Sequence, residues 1–258
     1  MRRSSSVIMA SIACLGLVWL CPLFSVFAQT PQPPSITVQP SDAELDEMLR
    51  ARDWKDLEAA LSQRVSMARG ITWLRAKLDS GEGGLLIGLL YANDMWMVGN
   101  TLNVEDRSKD VRITAGVITL YTFELIVVDG AKCEDKTAPG HRIDQLIAAR
   151  AATLAFLKKQ PDEWKALIVN TAIAFEKRTA PLRKDDDLIC RDGMAQMMAG
   201  LEKGSQHEVT TQAGHIGKTI EVAPPANWVP KFVSPDIYTP MQDKARLDMR
   251  ATLLKLIE

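Results

Sequence analysis

The stretch Val111-Arg112-Ile113-Thr114-Ala115-Gly116-Val117-Ile118-Thr119-Leu120-Tyr121-Thr122-Phe123-Glu124-Leu125-Ile126-Val127-Val128 decides the fold class. Its Ile113, Val117, Ile118, Tyr121, Phe123 and Val127 favour a strand. Against that, Val111, Ala115, Ile118, Thr122 and Leu125 recur at three- and four-residue spacing, and the run is far longer than a strand of about 5–6 residues. We read it as a helix, ended by Asp129-Gly130, and its neighbours then resolve into helices as well.

Toward the N-terminus, Gly83 to Val98 is apolar on nearly all sides and reads as a second buried helix, whose Gly84 and Gly88 suit close packing inside a soluble core. Before it, Met67, Ile71, Trp73, Leu74 and Leu78 mark an amphipathic helix ending near Gly81, and Asp53 caps one carrying Trp54, Leu57, Ala60 and Leu61. Ser41-Asp42-Ala43-Glu44 has the form of a capping box and opens the first helix.

Toward the C-terminus, the stretch from Cys133 through Pro139-Gly140 reads as a loop, followed by helices over Ile143 to Lys159 and Asp162 to Lys177. Asp185, Asp186 and Asp187 precede a last core helix through Met194, Met197, Met198 and Leu201, where carboxylates suit the positive end of the helix dipole. Beyond Gly204, Pro224, Pro225, Pro230, Pro235 and Pro240 describe an extended arm. Its Trp228, Phe232 and Tyr238 suit packing across the helical body, and Thr239-Pro240 starts a terminal helix. The chain is thus expected to be all-α: an antiparallel helical bundle or short helical solenoid-like array over residues 41–204, with an extended Pro-rich C-terminal arm ending in a helix over 205–258.

The N-terminus points to a compartment. Met1-Arg2-Arg3 is followed by an apolar run from Val7 to Phe24 and by Val26 and Ala28, the basic start, apolar middle and small residues of a secretory signal peptide cut after Ala28. Cys14 and Cys21 sit badly for lipid attachment, and Arg2-Arg3 alone is a weak twin-arginine signal. Residues 29–40, with Pro31, Pro33, Pro34 and Pro40, read as a linker. The expected location is periplasmic or secreted, with membrane contact only through the signal segment if it stays uncleaved.

Loss of Met1 to Ala28 removes two bases and no acid, so the formal net charge of −1 becomes −3. A mildly acidic chain offers no basic surplus to nucleic acid or anionic lipid, and no nucleic-acid partner is expected. Cys133 and Cys190 remain as one candidate disulfide, worth about 4 kcal/mol on the chain-entropy model.

Reactive constellations are sparse. His207-Glu208 and His215 lack the spacing of a zinc site, and His141 at a helix entrance suits a cap or solvent. Ser205 and Ser234 have no base or orienting acid nearby, and Gly81-Glu82-Gly83-Gly84 is no phosphate cradle. Glu134 and Asp135, or the three aspartates 185–187, are the candidate general acids and bases. We therefore assign no catalytic, metal-binding or cofactor-binding residue and no cofactor. The expectation is an exported, non-catalytic helical protein that binds another protein or an envelope component. The alternatives are a carboxylate-dependent envelope hydrolase and a binder of a small apolar ligand.

Overall fold

Helix α5 spans Val111–Asp129 and runs through the centre of the protein. The computed structural model describes residues 40–61, 67–102, 104–210 and 218–258. The expected signal segment and nearly all of the expected linker, residues 1–39, lie outside the described residues. Asp110 starts α5 by accepting from the Arg112 N–H at 2.9 Å and pairing with its guanidinium at 2.7 Å. The β-branched residues of α5 are accommodated because the helix is buried on almost every side, so packing outweighs their weak preference for strand. Thr122 Oγ1 donates to the Thr119 carbonyl at 2.7 Å, which satisfies one buried hydroxyl within the helix.

Helix α4, Gly84–Thr101, lies along α5. Gly88 permits that approach, since a side chain there would occupy the place of the Thr122 methyl group. Ahead of it stand α1 (Asp42–Ala51), α2 (Trp54–Leu61) and α3 (Met67–Asp79). The Ser41 box closes with Ser41 N donating to Glu44 at 2.6 Å, and Glu44 N donating back to Ser41 Oγ at 3.3 Å. Asp53 accepts from Asp56 N at 3.3 Å at the start of α2. Leu74, Leu78, Ile87, Leu120, Leu125 and Ile126 are among the largest fully buried side chains.

The single helix expected over Ile143 to Lys159 is two helices, α6 (Thr137–Ala149) and α7 (Ala151–Lys158). They part at Arg150, whose guanidinium turns onto α4 and donates to the Leu89 carbonyl at 2.7 Å and to Asn93 Oδ1 at 3.1 Å. Of the loop expected from Cys133 through Pro139-Gly140, residues 133–136 are non-helical and residues 137–140 form the first turn of α6. Pro139 is tolerated there because N–H groups in a first turn have no helical partner to lose. Helix α8 spans Asp162–Thr179, followed by a 3-10 turn at Ala180–Leu182, and α9 spans Met194–Lys203.

After Gly204, β1 (Ser205–Val209) and β2 (Thr219–Ala223) form an antiparallel pair with Ser205 opposite Ala223 and Val209 opposite Thr219. The fold is therefore mostly helical with a small two-stranded sheet, where the sequence reading expected helix and extended chain only. Helix α10, Pro235–Leu256, begins ahead of the expected Thr239-Pro240. Pro235 takes its first position, and Pro240 sits inside, where the one lost bond is to the carbonyl of exposed Asp236.

Candidate functional site

The cysteines bring together the elements that carry the site. Cys133 follows the 3-10 turn Gly130–Lys132 after α5, Cys190 lies in the segment between α8 and α9, and their disulfide holds the two Cα atoms 5.3 Å apart. A third segment joins them. Glu134 N donates to the Lys231 carbonyl at 2.9 Å and Val233 N to the Lys132 carbonyl at 2.8 Å, which sets Phe232 opposite Cys133 as an antiparallel bridge. Trp228 lies beside the Arg191 guanidinium and Tyr238 beside the Lys132 ammonium, each at 5.7 Å from the ring centre.

Just beyond Cys133, Asp135 anchors α9. Its Oδ2 accepts from Ala195 N at 2.7 Å, and its Oδ1 accepts from the Thr137 N–H at 2.9 Å and hydroxyl at 2.6 Å. Thr137 Oγ1 in turn accepts from Met194 N at 2.8 Å. Burial pushes the Asp135 carboxyl up, but these hydrogen bonds outweigh it and hold the group below the usual carboxylate range. At the other end, Gly200 lets α9 lie against Val222 and Ala223 of β2. Helix α9 is thus fixed at its base and along its back.

Its front is free. Met194, Met197, Met198 and Leu201 are 50, 41, 48 and 46 % exposed and follow the i, i+3, i+4, i+7 spacing of one helical face. The sequence predicts this stripe as core and Asp185, Asp186 and Asp187 as the dipole partners of this helix. Both expectations are overturned. The back of α9 is filled by the hairpin through Gly200, so the large side chains point outward, and the cap comes from Asp135 instead. Beside the base of α9, Cys190, Ala195, Trp228, Val229 and Lys231 line a cleft of about 360 Å³.

A second cleft, of about 570 Å³, lies between α1 and α2, the glycine turn before α4, and the segment carrying the three aspartates. Each aspartate there has a partner: Asp185 lies 3.4 Å from Lys132 Nζ, Asp187 pairs with Arg52, and Asp186 accepts from the backbone N–H groups of Leu85 and Leu188. The cleft contains the acidic groups that acid–base chemistry would use, and each of the three aspartates makes a structural contact, Asp186 through both of its oxygens. Glu134 is exposed.

The remaining candidates stay apart. His141 is exposed and bonds Gln145 within α6, His207 is exposed on β1, and His215 lies outside the described residues. Ser205 opens β1, and Ser234 occupies the position before α10. Among the described residues no three His, Cys, Asp or Glu side chains gather where they could hold a metal ion.

A buried charge cluster went unread in the sequence. Arg183, with 3 % of its side chain exposed, pairs with Asp129 and Glu176 at 2.7 Å each, and Arg246 of α10 reaches Glu176 at 3.1 Å. Glu124 and Asp129 inside an otherwise apolar helix were the available signal. No family model, curated protein or solved structure matches the chain.

Proposed function

We propose that the protein is an exported, non-catalytic binding protein of the cell envelope, and that the outward face of α9 receives an amphipathic helix from a partner protein. The exposed Met194, Met197, Met198 and Leu201 stripe carries this reading. Four apolar side chains at helical spacing form the ridge that a second helix packs against, and methionine adapts its shape to a partner. The face is one short helix long, about 15 Å, which falls short of the roughly 800 Å² per partner of a stable dimer and favours a peptide-sized contact. The adjoining 360 Å³ cleft with Trp228 and Val229 offers a place for one anchor side chain.

In this reading the helices of residues 41–204 form a bundle, and residues 205–258 are an arm that braces α9 from behind. The hydrolase and apolar-ligand alternatives have less support, because the aspartates of the larger cleft are held in structural contacts. The test is crosslinking in envelope extract from a photoreactive residue placed at Ala195, compared between the native face and the double substitution Met197→Glu, Met198→Glu. The expected result is one identified protein whose crosslinked peptide is an apolar-faced helix and whose yield falls at least tenfold in the variant. Crosslinks to lipid, to a second copy of the chain, or equal yield from both forms would overturn the proposal.

A further inference from the structure

Glu124 is 1 % exposed in the C-terminal half of α5, and its Oε1 has no hydrogen-bond partner. The strongest fields reaching it come from Glu176 and Lys177 of α8, Arg183 after α8, and Arg246 of α10. Lys177 is solvent-exposed, so the buried balance rests on the others. Asp129 and Glu176 supply two negative charges, Arg183 and Arg246 two positive ones, and these four groups are already paired with one another. Asp243 of α10 pairs with Arg246 from the exposed side at 3.7 Å, and Lys132 approaches Asp129 at 3.8 Å from its own turn.

An ionised Glu124 would therefore add a buried negative charge with no cation left for it. We infer that the docking of α10 is coupled to one proton held on Glu124: the docked helix keeps the acid dry and neutral, and undocking wets it and releases the proton. Helix α10 is the mobile party in this device. It contributes the most exposed member of the cluster, Arg246 at 27 %, and its other polar ties include Gln242 Nε2 donating to the Val128 carbonyl at 3.1 Å and to Asp129 at 3.3 Å, and Arg250 Nε donating to Asn170 Oδ1 of α8 at 3.3 Å. Burial and the neighbouring Glu176 push the Glu124 carboxyl up to about 8, which agrees with a protonated docked state at neutral pH.

The sign follows from linkage. With α10 docked the acid keeps its proton up to about pH 8, while in the wetted state it ionises near the ordinary glutamate value. Docking therefore weakens as pH rises between those limits and levels off above them. The experiment is amide hydrogen exchange of Met249–Leu256 in the disulfide-bonded chain, corrected for the intrinsic rate, from pH 5.5 to 7.5. The opening constant is expected to rise about tenfold per pH unit in the native chain and to stay level in Glu124→Gln, which is neutral throughout. Glu124→Met serves as a second neutral variant if the glutamine form folds poorly. An equal rise in the neutral variants, or a level native profile, would overturn the coupling.

Discussion

Asp186 Oδ2 accepts the Leu85 N–H at 2.6 Å, so a side chain 101 residues away closes the first turn of α4. Gly83, at the position before that helix, supplies no side-chain cap of its own. Asp186 Oδ1 also accepts from Leu188 N at 2.9 Å, which ties the segment leading to Cys190 onto the central helix pair. Asp186→Ala removes both acceptors and is expected to cost about 2 kcal/mol, a value between that of a lost cap and that of a charged hydrogen bond. Urea denaturation at pH 7 measures it, and a loss below about 0.5 kcal/mol would show that water replaces the carboxylate.

The same residue predicts a pH dependence. Burial pushes the Asp186 carboxyl up to about 6 against its two N–H bonds. An acid raised on folding contributes stability that is complete below its unfolded value near 3.8 and is lost as pH rises to about 6. Asp186→Asn cannot titrate, so the native chain should lose stability relative to this variant between about pH 4 and 6. The difference should stay constant above that window. Paired denaturation curves across the window check this, and parallel profiles throughout would refute it.

Arg183 is the shared cation of Asp129 and Glu176. Arg183→Met leaves two buried carboxylates with one guanidinium between them and is expected to cost about 3–5 kcal/mol, the penalty of an uncompensated buried charge. Arg183→Lys should restore less than half of that. An ammonium cannot span the two carboxylates as the planar fork does, bonding Asp129 through Nε and Glu176 through Nη2. Thermal and urea unfolding of the two variants, both at pH 7, separate the effect of charge from that of geometry.

The fold was legible where periodicity and packing agree. Val111 to Val128 carries a helical repeat through β-prone residues, and its length alone excluded an ordinary strand, so α5 follows from the sequence. The division of α6 from α7 does not, because it depends on Arg150 finding the Leu89 carbonyl on a helix some sixty residues earlier. The α9 stripe misled for a related reason. Periodicity shows that one face is apolar but not which face is covered, and here Gly200 and the hairpin covered the other side. Cys133 and Cys190 were legible as a pair because they are the two cysteines outside the expected signal segment. The Asp129, Glu176, Arg183 and Arg246 cluster was not, since ion pairs across helices leave no local spacing signal.

The disulfide ties the end of α5 to the base of α9 across a separation of 57 residues. Replacing both cysteines by serine is expected to lower stability by about 2–4 kcal/mol, through a less constrained unfolded chain and two hydroxyls placed where sulfur was buried. Calorimetry of the oxidised chain and of the serine variant measures the loss. Faster exchange at Ala195–Gly200 in the variant would show that the bond also steadies the α9 face.

Whether that face is free can be decided without any partner. Met197→Glu with Met198→Glu places two carboxylates on the stripe. Were these side chains core, two buried unpaired charges would unfold a protein of ordinary stability, since removal of one charge partner already costs about 3–5 kcal/mol. With 41 and 48 % exposure the new carboxylates remain hydrated, and the change in unfolding free energy is expected to stay within about 0.5 kcal/mol. Met249→Glu provides the contrast. Met249 is 2 % exposed on the inner face of α10, and its substitution should abolish cooperative unfolding altogether. Thermal melts of the two variants side by side thus distinguish an outward stripe from a buried one, and equal destabilisation would remove the physical basis for docking at α9.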